Sequence, residues 1–278
     1  MPYLVVVSLL WAFSPGLTKG LITNLDGTFV ATARLGLALL VFLPFLRLKG
    51  LTLRTAFALA GIGAVQFGVM YLAYNASFRL LQAHEVAIFT LTTPVIVTLL
   101  ADWLDRQFRP RALAAALIAV VGTLVLVFHG QEIRPTLLGL GLVQLSNLAF
   151  ASGQVAYKRL RVQQPGLRDR DIFALLYAGA FLTALAALAL RGDLTITLNG
   201  PQMLVLLYLG TLASGVGFFL WNIGATRVGS GTLAVMNNAK IPLMVACALI
   251  FFHESADGPR LAISLVLLLT AVWLAEKR

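Results

Sequence analysis

Long apolar runs separated by short polar connections make up almost the whole chain of 278 residues. A hydrocarbon core of about 30 Å is crossed by roughly 20 apolar residues in a helix. Runs of about that length, bounded by charges and by Gly or Pro, predict ten transmembrane helices. The predicted spans are residues 3–22, 28–46, 55–78, 85–104, 111–129, 137–157, 172–190, 202–224, 230–252 and 260–275.

Composition and charge agree with a multi-pass membrane protein. Hydrophobic residues make up 59% of the chain and charged residues only 12%, whereas a soluble domain has about a quarter charged residues. The net charge of +10 is concentrated on one side: fourteen basic residues fall on one set of connections and four on the other. The positive-inside rule then places both termini in the cytoplasm of a bacterial-type inner membrane, and nucleic-acid binding is not needed to explain the charge.

The two halves of the chain resemble one another. Each half contains five predicted spans, and because five is odd, the second half enters the membrane in the opposite sense. The sequence therefore predicts two inverted five-helix repeats, residues 1–133 and 134–278, around a central cavity. The matching positions are Tyr74-Asn75, Arg79 and Pro94 in the first half, with Trp221-Asn222, Arg227 and Pro242 at offsets of 147 and 148 in the second.

This pattern resembles the EamA type of the drug/metabolite transporter superfamily. The resemblance covers the whole chain and depends on Trp11 with Gly16, Arg34, the two mid-span prolines and Glu254. The resemblance implies two inverted helix bundles around a central cavity. It also implies export or uptake of small metabolites such as amino acids. One departure is Arg106 beside Asp105, where many members have Gly-Glu after the fourth span.

Polar side chains inside the predicted spans indicate where a cavity lies, because in hydrocarbon they must face protein or water. Lys240 is the most specific of them, since a lysine at the bilayer centre costs about 2.5–3.5 kcal/mol. We expect it to neutralise a ligand carboxylate, with Arg34 as a second cation or a structural strut. Interhelical hydrogen bonding is the alternative role for each Asn, Gln and Thr. The remaining predicted binding residues are Asn237, Asn238, Thr93, Gln154, Asn222, Trp11, Tyr74, Phe218 and Trp221.

Pro94 and Pro242 occupy corresponding positions in the two halves. A proline inside a helix removes one backbone hydrogen bond and can kink or break the helix. We therefore expect both residues to act as hinges or helix breaks beside the binding site.

The predicted function is a secondary transporter that works by alternating access on a small carboxylate-bearing metabolite such as an amino acid, with export favoured. Every predicted span lacks a central Asp or Glu, which disfavours an exporter of cationic drugs. A carrier of amines or drugs and a channel-like facilitator remain alternatives. An intramembrane enzyme is disfavoured, because His84-Glu85 lacks the second His of a zinc motif, Ile88 standing in its place.

We expect no catalytic residue, cofactor or metal. The expected partners are the metabolite and the lipid bilayer, with no nucleic acid. A coupling proton or ion is left open, and the expected assembly is a monomer or weak dimer.

Overall fold

The structure is a computed structural model that describes residues 1–12, 21–22, 25–191, 197–251 and 257–277. All regular structure in these residues is helical. Two of the residues that carry the family resemblance, Gly16 and Glu254, lie outside the described ranges. The α-helices are α1 (Pro2–Ala12), α2 (Gly27–Phe42), α3 (Leu53–Gly63), α4 (Met70–Ser77), α5 (Ala83–Thr90), α6 (Thr93–Asp105), α7 (Pro110–Val127), α8 (Leu137–Gln163), α9 (Asp169–Arg191), α10 (Gly200–Leu207), α11 (Gly217–Thr226), α12 (Ser230–Phe251) and α13 (Gly258–Glu276).

Several helices begin where the sequence supplies a capping side chain. The Asp26 carboxylate accepts hydrogen bonds from the backbone N–H groups of Thr28 and Phe29 at the start of α2. Thr136 caps α8 and Asp257 caps α13 in the same way. Such caps satisfy backbone donors that have no partner within the helix.

Seven helical stretches in the described part of the chain are long and apolar enough to cross a membrane. Together with α1, a shorter apolar helix, they make this a multi-pass membrane protein. The full count of ten spans stays a prediction. The seven stretches are Gly27–Phe45, Leu53–Ser77, Ala83–Asp105, Pro110–Val127, Asp169–Leu190, Gly200–Thr226 and Gly258–Glu276.

Two of these stretches contain π-helical segments. Residues Ala64–Val69 join α3 to α4, and Tyr208–Val216 join α10 to α11. A π segment widens the turn and displaces backbone carbonyls from the regular helical pattern. The buried Tyr177 hydroxyl lies 2.8 Å from the Ser214 carbonyl and 2.6 Å from that of Gly215, to which it donates. Tyr177 on α9 thus stabilises the second π segment.

α3 and α9 cross at close backbone contact. A Cβ atom on Gly63 would lie 1.9 Å from the Leu176 carbonyl oxygen, and one on Gly179 would lie 1.9 Å from that of Ala60. Only glycine fits at both positions, which is how small residues allow membrane helices to approach. An aromatic cluster fills the neighbouring core, with the Phe67 and Phe218 rings stacked 4.5 Å apart.

The two mid-span prolines differ in their surroundings. Pro94 lies in the first turn of α6, just after the helical path is interrupted at Leu91 and Thr92. Pro242 lies inside α12, which continues through it as one helix. Of the two roles expected for Pro242, a helix break is therefore wrong. A hinge role for either proline stays a prediction.

Candidate functional site

A cavity of about 320 Å³ lies between the helices of the two halves of the chain. Its volume is in the range of small-molecule binding sites. Most of the residues predicted from the sequence line this cavity. They are Trp11, Arg34, Tyr74, Thr93, Phe218, Asn237, Asn238 and Lys240.

Both cations predicted from the sequence face this cavity, and no carboxylate lines it among the described residues. Lys240 makes one contact there, with its Nζ 5.2 Å from the centre of the Trp11 ring. In the described part of the chain it has neither an ion pair nor a hydrogen bond. An ammonium group with so few partners is available to an anionic group on a ligand.

Arg34 is held more firmly than Lys240. Its Nε donates to the Ser214 hydroxyl at 3.1 Å, and its guanidinium carbon lies 4.6 Å from the centre of the Tyr71 ring. The Tyr71 hydroxyl lies 3.1 Å from the same Ser214 oxygen. Arg34 thus faces the cavity and also ties α2 to the second π segment, and its role as a second cation for the ligand stays a prediction.

Aromatic side chains form the apolar wall of the cavity. The Trp11 ring lies 5.1 Å from the Trp221 ring and 5.3 Å from Phe218. Its Nε1 donates to the Ala213 carbonyl at 2.8 Å, which fixes the orientation of the indole. Rings held in stacked and edge-to-face contact present a large apolar surface to the cavity.

Side-chain amides surround the interruption between α5 and α6. The carbonyl of Phe89 accepts from Gln144 at 3.2 Å and from Asn147 at 2.9 Å. The carbonyl of Leu91 accepts from Asn238 at 3.1 Å. Backbone groups freed in a membrane helix must be satisfied by neighbouring side chains. Side chains of neighbouring helices therefore stabilise the interruption by replacing its missing backbone hydrogen bonds.

Three of the predicted binding residues lie behind the cavity wall. The side chains of Gln154, Trp221 and Asn222 are fully buried and do not line the cavity. Trp221 Nε1 donates a hydrogen bond to Gln154 Oε1, whereas Asn222 Oδ1 accepts a 3.2 Å hydrogen bond from Gln66. Their placement as ligand contacts is wrong for this conformation, because each points towards a neighbouring helix.

Some lining residues were not among the predicted binding residues. Tyr71, Ser146 and Phe150 belong to this group, and so does Asn147. Asn147 shares a helix face with Gln144, at a spacing of three residues that the sequence displays. Tyr71 has no such signal, since its role depends on Arg34 of another helix.

The described residues contain no group of three or more His, Cys, Asp or Glu side chains that could hold a metal ion. The groups that line the cavity can bind an anionic group, form hydrogen bonds through amides and hydroxyls, and make apolar contacts.

Comparison with known proteins places this architecture in context. A model of the EamA-like transporter family matches residues 1–128 and 137–276. A solved crystal structure that is 19% identical superposes with a TM-score of 0.80 over 99% of this chain and 95% of its own, which shows a shared fold.

The chain is also similar to curated proteins over its full length. A Pseudomonas aeruginosa protein named "Probable biotin transporter" is 42% identical, over 98% of this chain and 96% of its own. Proteins named "Biotin transporter" from Salmonella typhimurium and Escherichia coli are 37% and 38% identical, over 100% of this chain and 93% of theirs.

Proposed function

The chain belongs to the EamA-like transporter family, and we propose that within this family it carries biotin across a membrane. The full-length similarity to proteins named for biotin transport supports this substrate. The observation that carries the proposal is a cavity that combines two cations, amides and aromatic rings without a carboxylate among its described lining residues.

This proposal corrects the substrate expected from the sequence. A small carboxylate-bearing metabolite such as an amino acid was expected, with amines or drugs as the alternative, whereas the relatives are named for biotin, which is not an amino acid, an amine or a drug. The error has a chemical reason. The pattern of cations inside the predicted spans indicates an anionic group on the ligand, and biotin and amino acids both carry a carboxylate.

The chemistry of biotin matches the groups that line the cavity. Its valerate carboxylate suits the Lys240 ammonium, since charge-assisted hydrogen bonds are the strongest that a side chain offers. Its ureido ring has two N–H donors, and the Oδ1 atoms of Asn147 and Asn238 accept no hydrogen bond within the described residues. The ring system and its alkyl chain suit the apolar surfaces of Trp11 and Phe218.

We further propose ten spans arranged as two inverted repeats, with residues 1–133 and 134–278 as the halves. Contacts between the halves support this arrangement, because they come in exchanged pairs. α2 of the first half packs against the π segment Tyr208–Val216, while α9 of the second half packs against the π segment Ala64–Val69. Likewise α1 of the first half contacts α12 of the second, while α8 of the second half contacts α6 of the first.

In this proposal the two halves rock about the cavity to give alternating access. Both termini lie in the cytoplasm of a bacterial-type inner membrane, as the distribution of basic residues favours. Pro94, beside the interruption of its helix, and Pro242, within α12, are placed to allow bending during this motion.

Counterflow in proteoliposomes tests the proposed function. Vesicles loaded with unlabelled biotin are expected to accumulate labelled biotin transiently, and excess unlabelled biotin is expected to saturate the flux. Biotin methyl ester, which lacks the carboxylate, is expected to compete poorly. Biotin flux that neither saturates nor shows counterflow would favour a channel-like facilitator. The absence of any biotin flux through folded protein would overturn the proposal.

A further inference from the structure

A second cavity, of about 750 Å³, lies at the end of the molecule where α8 ends and α12 begins. Five basic side chains and one carboxylate line it, so its described lining carries an excess of positive charge. They are Arg109, Arg111, Lys158, Arg159, Lys277 and Asp105. The excess charge has the same sign as in the 320 Å³ cavity, which Arg34 and Lys240 line.

The two cavities share helices and are separated by little more than one helical turn. Asn237 on α12 lines the 320 Å³ cavity, and Leu233, four residues earlier, lines the second cavity. On α8, Phe150 lines the first cavity and Val155 the second. Whatever lies between these positions therefore separates the two cavities.

A reciprocal pair of amides occupies this position. The Gln154 amide nitrogen donates to Asn237 Oδ1 at 3.2 Å, and the Asn237 amide nitrogen donates to Gln154 Oε1 at 3.2 Å. Trp221 Nε1 donates to the same Gln154 oxygen at 3.0 Å. Gln154 and Trp221 are 0% exposed and Asn237 is 2% exposed. The pair closes the space between α8 and α12.

We infer that the second cavity is the other vestibule of the translocation pathway for an anionic substrate, and that the Gln154–Asn237 amide pair is the gate between the two. This inference rests on the proposed function in one respect, since it requires a carrier with access from both sides. It gives a role to Gln154, which does not line the ligand cavity.

An amide pair is well suited to a gate that opens and closes. Both partners donate and accept, so each side chain can exchange the other for water or for substrate polar groups when α8 and α12 separate. An interhelical hydrogen bond of this kind contributes little free energy in membrane proteins. The closed state can therefore open reversibly. The hydrogen bond from Trp221 Nε1 to Gln154 Oε1 holds Gln154 in place whether Gln154 pairs with Asn237 or with another group.

Thiol labelling tests the gate directly. The single cysteine, Cys247, is replaced by serine, and Thr90→Cys reports on the 320 Å³ cavity while Ser230→Cys reports on the second. A membrane-impermeant maleimide is applied to vesicles of either orientation. In the parent protein we expect each reporter to react mainly from its own side, because the amide pair separates the cavities.

Gln154→Ala is expected to raise the labelling rate of Thr90→Cys from the second-cavity side by about tenfold, since it leaves the buried Asn237 Oδ1 of the closed state without its donor. Ser152→Ala changes a residue of the same helix whose hydroxyl donates to the Ala149 carbonyl of that helix, and this matched control should leave that rate unchanged. A monodisperse peak in gel filtration confirms that each variant is folded.

Two results would overturn the inference. One is a folded Gln154→Ala protein whose labelling from the second-cavity side stays within twofold of the parent. The other is a Ser230→Cys reporter that reacts in detergent but is blocked in anionic lipid vesicles, which would make the second cavity a lipid site. Biotin takes no part in the labelling, so the gate and the choice of substrate fail independently.

Discussion

Asn238 donates a hydrogen bond of 3.1 Å to the carbonyl of Leu91, and so joins α12 of the second half to the interruption between α5 and α6 in the first. The same amide nitrogen lies 3.1 Å from the Thr123 hydroxyl on α7, to which it also donates. The side chain is 2% exposed. One amide thus connects three helical segments next to Lys240.

Replacing Asn238 with leucine is expected to destabilise the protein by about 1–2 kcal/mol. One interhelical hydrogen bond contributes only about 0.6 kcal/mol on average, but the Leu91 carbonyl is left without its partner at a point where the helix cannot supply one. Unfolding in sodium dodecyl sulfate measures the change. A double-mutant cycle with Thr123→Val should give a coupling energy above zero, and fully additive effects would contradict this role.

Gly63→Ala is expected to prevent normal packing of α3 against α9, at a cost of about 3 kcal/mol or more. The added methyl group would lie 1.9 Å from a backbone oxygen, and backbone cannot move aside as a flexible side chain can. The yield of monodisperse protein in gel filtration measures the effect. Gly61→Ala is the matched control, because a Cβ there meets nothing within 4 Å, and equal yields would refute the close crossing.

Tyr177→Phe is expected to lower stability by about 1–3 kcal/mol, because it removes the donor from carbonyls of the second π segment. The ring is retained, so the aromatic contacts with Phe67 and Phe173 should change little. Tyr3→Phe serves as the control, since Tyr3 has no hydroxyl hydrogen bond in the described residues. Thermal unfolding in detergent measures both variants, and equal midpoints would argue against this role for Tyr177.

Lys240→Met is expected to reduce biotin transport at least about tenfold while folding and membrane insertion stay intact. Methionine keeps most of the length of the side chain but removes the charge that binds a carboxylate. Lys240→Arg should retain more activity than Lys240→Met. Lys49→Met changes an exposed lysine and should transport normally. Unchanged flux in Lys240→Met would remove this residue from the mechanism.

Much of the candidate site could be predicted from the sequence because burying a polar group in hydrocarbon is costly wherever it occurs. Lys240 and Arg34 stand out against their apolar neighbours, and both line the 320 Å³ cavity. Asn237 and Asn238 were found in the same way, whereas Trp11 and Phe218 were found because they share a helix face with polar residues. The family was identified from the order of motifs along the chain and is confirmed by the match to the EamA-like model.

An all-helical membrane protein, its family and its two intramembrane cations follow from the chain alone, since hydrophobic run length and the cost of charge in hydrocarbon are local properties. Which polar groups face the cavity and which face one another depends on how the helices pack. Gln154 and Asn147 both lie on the polar face of α8, yet Gln154 pairs with Asn237 while Asn147 lines the cavity. A helix inside a bundle has several buried sides, and its periodicity cannot distinguish a neighbouring helix from a cavity.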